Sequence, residues 1–146
     1  FSRLGTLPFI DKFSKVFRPN RASVAWFLNS VVYDPSVITD EWFERIYQLA
    51  VLPGALSSLV RLSRANLNLL GVRSGAFRPI VHQLSKITAP TLVIWGKHDP
   101  VLPVAHADVA AQGLANARLH IFECCGHFPQ IEHPEEFNQL ILEFLD

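Results

Sequence analysis

Thr91-Leu92-Val93-Ile94-Trp95-Gly96-Lys97-His98-Asp99-Pro100 is the stretch whose reading decides the fold. It opens as a short apolar run rich in β-branched and aromatic residues and stops abruptly at Gly96, the pattern of a buried parallel strand. Toward the C-terminus, Val101-Leu102-Pro103 turns the chain into a helix predicted over about Val104 to Gln112 and closed by Gly113. A second strand is predicted from Arg118 to Glu123, and it runs out into Cys124-Cys125-Gly126-His127. Two parallel strands joined by one helix make a βαβ unit. Asp99, just past the first strand, and His127, just past the second, then share the carboxyl edge of a sheet, where open α/β folds keep their chemistry.

The last helix follows directly. Pro134 suits its first turn, Glu135 and Glu136 favour that end electrostatically, and Phe137, Leu140, Ile141 and Phe144 recur at helical spacing, so this helix must pack on a sheet. In the other direction the chain reads as helical. Arg21 to Tyr33 carries Val24, Ala25, Trp26, Phe27, Leu28, Val31 and Val32, a distribution that predicts burial on more than one side. Asp34-Pro35 ends it. Thr39 is an N-cap, with Asp40 and Glu41 in the first turn, for a helix bearing Trp42, Phe43, Ile46, Tyr47 and Ala50, stopped by Pro53-Gly54. A further helix is predicted from about Ala55 to Leu70, closing at Gly71. Residues 21–71 thus read as a strand-free helical module. Residues 1–20 read as a loop with at most a short helix from Pro8 to Phe17, and Phe77 to Ile87 as a connector.

With 146 residues, 49% of them hydrophobic, the chain can bury a real core and is apolar enough to suggest that something covers extra surface. Thirteen basic residues balance thirteen acidic ones. No basic stripe argues for nucleic acid or an anionic membrane, and a small neutral or weakly charged substrate fits better. The adjacent Cys124 and Cys125 are poorly placed for an unstrained disulfide, and no apolar run reaches the roughly twenty residues of a membrane span. A cytoplasmic protein is expected. The chain starts at Phe1 and contains no Met, which suggests a piece of a longer protein.

Asp99 and His127 suit the carboxylate and imidazole of nucleophilic acyl transfer, in which the base takes a proton from the attacking hydroxyl and the acid fixes its tautomer. Read plainly, Asp99 is a turn residue before Pro100 and His127 a loop residue after Gly126. A nucleophile elbow of the form G-x-S-x-G does not occur. Gly71-Val72-Arg73-Ser74-Gly75 has the wrong spacing, so Ser74 reads as a loop serine, and Cys125 as a small buried hydrophobe. His98, His106 and His133, with Asp99 or Asp108, fit no zinc spacing.

The order Thr91 to Asp99, then Pro103, then Gly126-His127-Phe128-Pro129 with Glu132-His133-Pro134-Glu135-Glu136-Phe137, resembles the carboxyl-terminal third of an α/β-hydrolase-fold enzyme. Residues before Pro90, including Asp34-Pro35 and Thr39-Asp40-Glu41, resemble that superfamily's helical cap. The resemblance implies an α/β fold in which a helical cap or lid, residues 1–75, precedes a C-terminal core segment, residues 76–146, of two parallel strands with flanking helices. It implies that Asp99 is the triad acid and His127 the triad base, that Trp26, Trp42, Phe43 and Tyr47 are available to line an apolar substrate pocket, and that no metal or other cofactor is needed.

In that family the cap lies between nucleophile and acid, so the nucleophile, Ser or Asp, and the oxyanion-hole loop belong upstream of Phe1. The expected activity is therefore hydrolysis of an ester-like or related small apolar substrate by the complete protein, this chain being inactive alone. The alternative is a non-catalytic folding or interaction unit, which pairs with an N-terminal hydrolase fragment or with a second copy in a swapped homodimer.

Overall fold

The structure, a computed structural model, describes residues 19–68, 71–72, 78 and 80–146. The expected helix from Pro8 to Phe17 and the loop serine Ser74 lie outside these residues. The chain divides into two compact units, one comprising residues up to Trp26 with Thr39–Ile80, the other Phe27–Ile38 with Val81–Asp146. Helix α1 (Arg21–Val31) begins in the first and ends in the second.

In the first unit, Asn20 caps α1, its side-chain oxygen accepting the Ser23 N–H at 2.8 Å. Helix α2 (Asp40–Ala50) starts as its sequence dictates: Thr39 Oγ1 accepts the Trp42 N–H at 3.2 Å, with Asp40 and Glu41 in the first turn. The chain turns at Gly54, whose φ of 86° lies in the left-handed region that glycine adopts without strain. Helix α3 (Ala55–Asn66) follows. It ends earlier than its periodicity suggests, and the module is not strand-free. Strands β1 (Leu67–Asn68) and β2 (Gly71–Val72) pair antiparallel, with Leu67 opposite Val72 and Asn68 opposite Gly71. The reason lies at Asn66. Asparagine competes with the helical backbone for hydrogen bonds, and the Asn66 side chain donates to the Leu62 carbonyl at 2.9 Å where the helix stops. Gly71 is thus a ladder residue, not a helix cap.

Helix α1 is buried along one stripe only, Val24, Leu28 and Val31, while Trp26 is 61% exposed. The expectation of burial on several sides counted apolar residues without fixing their partners. Beyond α1, the Asp34 carboxylate accepts the Ser36 N–H at 2.9 Å and caps a 3-10 turn at Pro35–Val37.

The second unit holds strands β3 (Thr91–Gly96) and β4 (Ala117–Phe122), parallel and in register from Thr91 opposite Ala117 to Gly96 opposite Phe122. Helix α4 (Ala105–Gly113) connects them and packs against both, with Ala107 fully buried. The one-turn helix α5 (Pro129–Glu132), not foreseen from the sequence, precedes α6 (Pro134–Leu145). Phe122, Cys125 and Leu140 form a core against which Leu92, Ile94 and Phe137 pack, so α6 does cover the sheet. The strands are half-buried for most of their length, since among the described residues each has one neighbour.

Among the described residues no single helix is long and apolar enough to cross a membrane; α2 and α3 qualify only together, bent by 79°.

Two glycines let the strand exits close on each other. A Cβ on Gly96 would lie 1.9 Å from the Gly126 carbonyl oxygen and 2.7 Å from that of Cys125. A Cβ on Gly126 would lie 2.6 Å from the Val31 oxygen and 2.8 Å from the Tyr33 nitrogen. All these obstacles are backbone, so no rotamer change relieves them. Gly96→Ala is therefore expected to destabilise the fold by about 1–3 kcal/mol or more, as overpacking does, read as a lower denaturation midpoint in urea; an unchanged midpoint would contradict this packing.

Candidate active site

The close approach of the strand exits is tied by hydrogen bonds. The Lys97 N–H donates to the Phe122 carbonyl at 2.9 Å, and the His98 N–H to the Cys125 carbonyl at 2.9 Å. Lys97 also forms an ion pair with Glu123 at this junction. Asp99 and His127 are thereby carried to one edge. Their side chains meet, His127 Nδ1 standing 2.8 Å from Asp99 Oδ2.

Asp99 is held for this contact. Its Oδ1 accepts the N–H groups of Val101 at 2.7 Å and Leu102 at 2.9 Å, which orients the carboxylate and leaves Oδ2 for the imidazole. The Asp99 side chain is 5% exposed and that of His127 27%, so the acid is buried behind a base that reaches solvent. An ionised Asp99 accepts the Nδ1 proton, which leaves the lone pair on Nε2. A recess of about 140 Å³ adjoins them, lined by Ile94, Trp95, Gly96, Asp99, Leu102, His127 and Pro129. One wall is braced by the Trp95 indole, which donates to the Leu102 carbonyl at 3.0 Å.

The four aromatics expected at a substrate pocket lie in the first unit. Phe43 and Tyr47, at i and i+4 on α2, stack with centroids 6.3 Å apart, and the Arg21 guanidinium sits 4.9 Å and 5.1 Å above their rings. Arg21 also pairs with Glu44 at 2.7 Å. Trp42 is half-buried on the same helix, and Trp26 is exposed on α1. Two of the other histidines are engaged separately: His133 Nε2 lies 2.9 Å from the Cys124 carbonyl, and His98 packs on Tyr33 at 4.9 Å. Among the described residues no group of three or more His, Cys, Asp or Glu side chains converges on a point that could hold a metal ion.

Glu132 is the residue whose importance the sequence did not announce. Its carboxylate accepts the Gly126 N–H at 2.9 Å and 3.0 Å, the Phe128 N–H at 3.2 Å and the Tyr33 N–H at 2.7 Å. Glu132 stands in the run quoted above for the family resemblance, but its spacing, an acid five residues after a loop histidine, is one that surface acids share.

Residues 15–134 match the family of the alpha/beta hydrolase fold. The chain belongs to that family. It is 36% identical over 128 residues to a 2-hydroxy-6-oxononadienedioate/2-hydroxy-6-oxononatrienedioate hydrolase of Paraburkholderia phymatum, an alignment covering 87% of this chain and 42% of that protein. Among solved structures, a mutant of the meta-cleavage product hydrolase CumD superposes with a TM-score of 0.67 at 28% identity, covering 88% of this chain and 46% of the other. A membrane phospholipase A described as a bacterial virulence factor superposes with a TM-score of 0.66 at 26% identity, covering 88% and 39%. This alpha/beta hydrolase chain therefore spans less than half the length of these relatives.

Cys125 is fully buried, as expected of a small hydrophobe, and its Sγ lies 3.6 Å from Glu132 Oε1. Burial first, then the Glu132 carboxylate and its hydrogen bond, then Asp99, push the thiol from an ordinary 9.0 up to about 12. The folded chain thus keeps a proton that the unfolded chain releases from pH 9 upward, so this thiol's contribution to stability is complete below pH 9 and is lost as the pH rises toward 12. At mildly alkaline pH, iodoacetamide is expected to modify the exposed Cys124 alone in the folded chain and both cysteines in denaturant. Peptide mass spectrometry reads this, and equal labelling of the two in the folded chain would contradict the burial.

Proposed function

We propose that this chain is the cap and C-terminal core segment of an alpha/beta hydrolase in which Asp99 and His127 are two members of the catalytic triad. The nucleophile and the oxyanion donors then come from sequence upstream of Phe1. One observation carries the reading: the 2.8 Å contact between His127 Nδ1 and Asp99 Oδ2, with Oδ1 already committed to backbone. That arrangement presents Nε2 as a base. In the complete protein it takes the proton of the nucleophile's hydroxyl as the nucleophile attacks the substrate carbonyl, and the Asp99 charge stabilises the imidazolium. The imidazolium returns its proton to the leaving group, and the neutral ring then activates water to release the acyl group.

The relatives named above narrow the substrate. A 2-hydroxy-6-oxononadienedioate contains no ester or amide, so a hydrolase acting on it must break a carbon–carbon bond beside a carbonyl. By that likeness we assign the complete enzyme a small, unsaturated 2-hydroxy-6-oxo acid. Ester hydrolysis is the competing assignment, supported by the likeness to a phospholipase A. Expressed with its upstream coding sequence, the protein is expected to bleach the absorbance of a 2-hydroxy-6-oxodienoate faster than it releases nitrophenol from a short-chain aryl ester. His127→Ala lowers turnover by several orders of magnitude, and Asp99→Asn by about ten thousandfold at most, by disturbing the tautomer. Unchanged turnover in His127→Ala would sink the triad.

A second reading rests on the sheet. Among the described residues β3 and β4 pair only with each other, and Leu142 and Leu145 on α6 are 63% and 72% exposed. An open strand edge and exposed apolar side chains in the same unit suit pairing with an N-terminal hydrolase fragment or with a second copy in a swapped homodimer. Light scattering after size exclusion is expected to show a dimer of the isolated chain, or a one-to-one complex when the upstream segment is added. A monodisperse monomer that ignores that segment would exclude this reading.

A further inference from the structure

His127 holds its place by backbone as much as by side chain. It sits in the loop between β4 and α5, and every backbone N–H from Gly126 to Phe128 is fixed by an acceptor on another part of the second unit. The His127 N–H donates to the Val31 carbonyl at 2.8 Å. Those on either side of it, Gly126 and Phe128, both donate to the single carboxylate of Glu132. The same carboxylate takes the Tyr33 N–H at 2.7 Å, so it also fastens the Val31–Tyr33 backbone that accepts from His127. Among the described residues its donors are backbone amides and the Cys125 thiol, fixed groups rather than a flexible lysine or arginine. Hydrogen bonds to a carboxylate are about twice as strong as neutral ones, and several converging on one partly buried group make a rigid node.

We infer that Glu132 is a positioning residue for His127: its carboxylate clamps the amides on both sides of the histidine and so sets the imidazole at hydrogen-bonding distance from Asp99. The inference goes beyond the triad reading, on which its meaning for catalysis rests, because it names the group that aims the base. Glu132 touches no reacting atom. Its effect passes through the position of the His127 backbone, and a shift of about 1 Å there is enough to break the Nδ1–Oδ2 contact and to cost about a hundredfold in rate.

The test uses nuclear magnetic resonance of the imidazole on the 146-residue chain, where no activity is needed. In the unaltered chain the His127 Nδ1 proton, held by Asp99, is expected to exchange slowly with solvent. In Glu132→Ala that exchange becomes at least about tenfold faster, the scale of losing one charge-assisted hydrogen bond. Glu132→Gln, which keeps the size and one acceptor oxygen, gives an intermediate rate, and the exposed Glu143→Gln gives none of the change. If Glu132→Ala does not fold, Glu132→Gln decides alone.

A fall in melting temperature with unaltered Nδ1 exchange in a folded Glu132 variant would make the residue merely structural and overturn the inference. In the protein extended upstream, Glu132→Gln is expected to lower kcat with KM little changed. Should His127→Ala leave turnover intact, the triad reading fails while the exchange measurement still decides whether Glu132 positions His127.

Discussion

Everything at the candidate site depends on how closely the exits of the two parallel strands approach. Gly96 and Gly126 meet backbone to backbone, with no room for a Cβ on either, and Gly126 meets the backbone of Val31, Val32 and Tyr33 on its other side. Amides that come this near must be paired, and they are: His98 to Cys125, His127 to Val31, and Gly126 to Glu132. The contact between Asp99 and His127 is the outcome of this packing. Neither side chain could find the other if the exits stood a methyl group farther apart.

The burial pattern follows from the same geometry. Asp99 is enclosed and doubly bonded to the following turn, so its charge points one way, toward His127. His127 is more open and borders a recess with apolar walls from Ile94, Leu102 and Pro129. An oriented acid behind an accessible imidazole is an arrangement that can move protons, and membership of the alpha/beta hydrolase family gives it a context. The Cys125 thiol, three residues from the sheet and close to Glu132, stays protonated and serves the core.

The first unit illustrates a different balance. Thr39 and the acids after it start α2 where local chemistry says they should, because capping is satisfied within a few residues. Local chemistry was also available at Asn66, yet the helical spacing of leucines masked it, and α3 gives way to a short antiparallel ladder. The aromatic residues of α2 are organised by Arg21, a cation distant in sequence, through stacking and an ion pair with Glu44. Spacing along the helix put Phe43 and Tyr47 together, but it could not say what would lie over them.

The sequence by itself determined the βαβ unit, the final amphipathic helix, the strand exits that carry Asp99 and His127, and, through motif order, the family. These are properties of neighbours in the chain: periodicity, caps and the stops imposed by glycine and proline. Only the tertiary structure decided that the acid and base touch, that two glycines are packed against backbone, that α1 is buried on one stripe, and that Glu132 gathers amides from both sides of the histidine. The physical reason is that each depends on groups brought together from separated segments. Whether a carboxylate is a solvated surface charge or the acceptor for three backbone amides is settled by what folds around it, and its own neighbours in sequence carry no record of that.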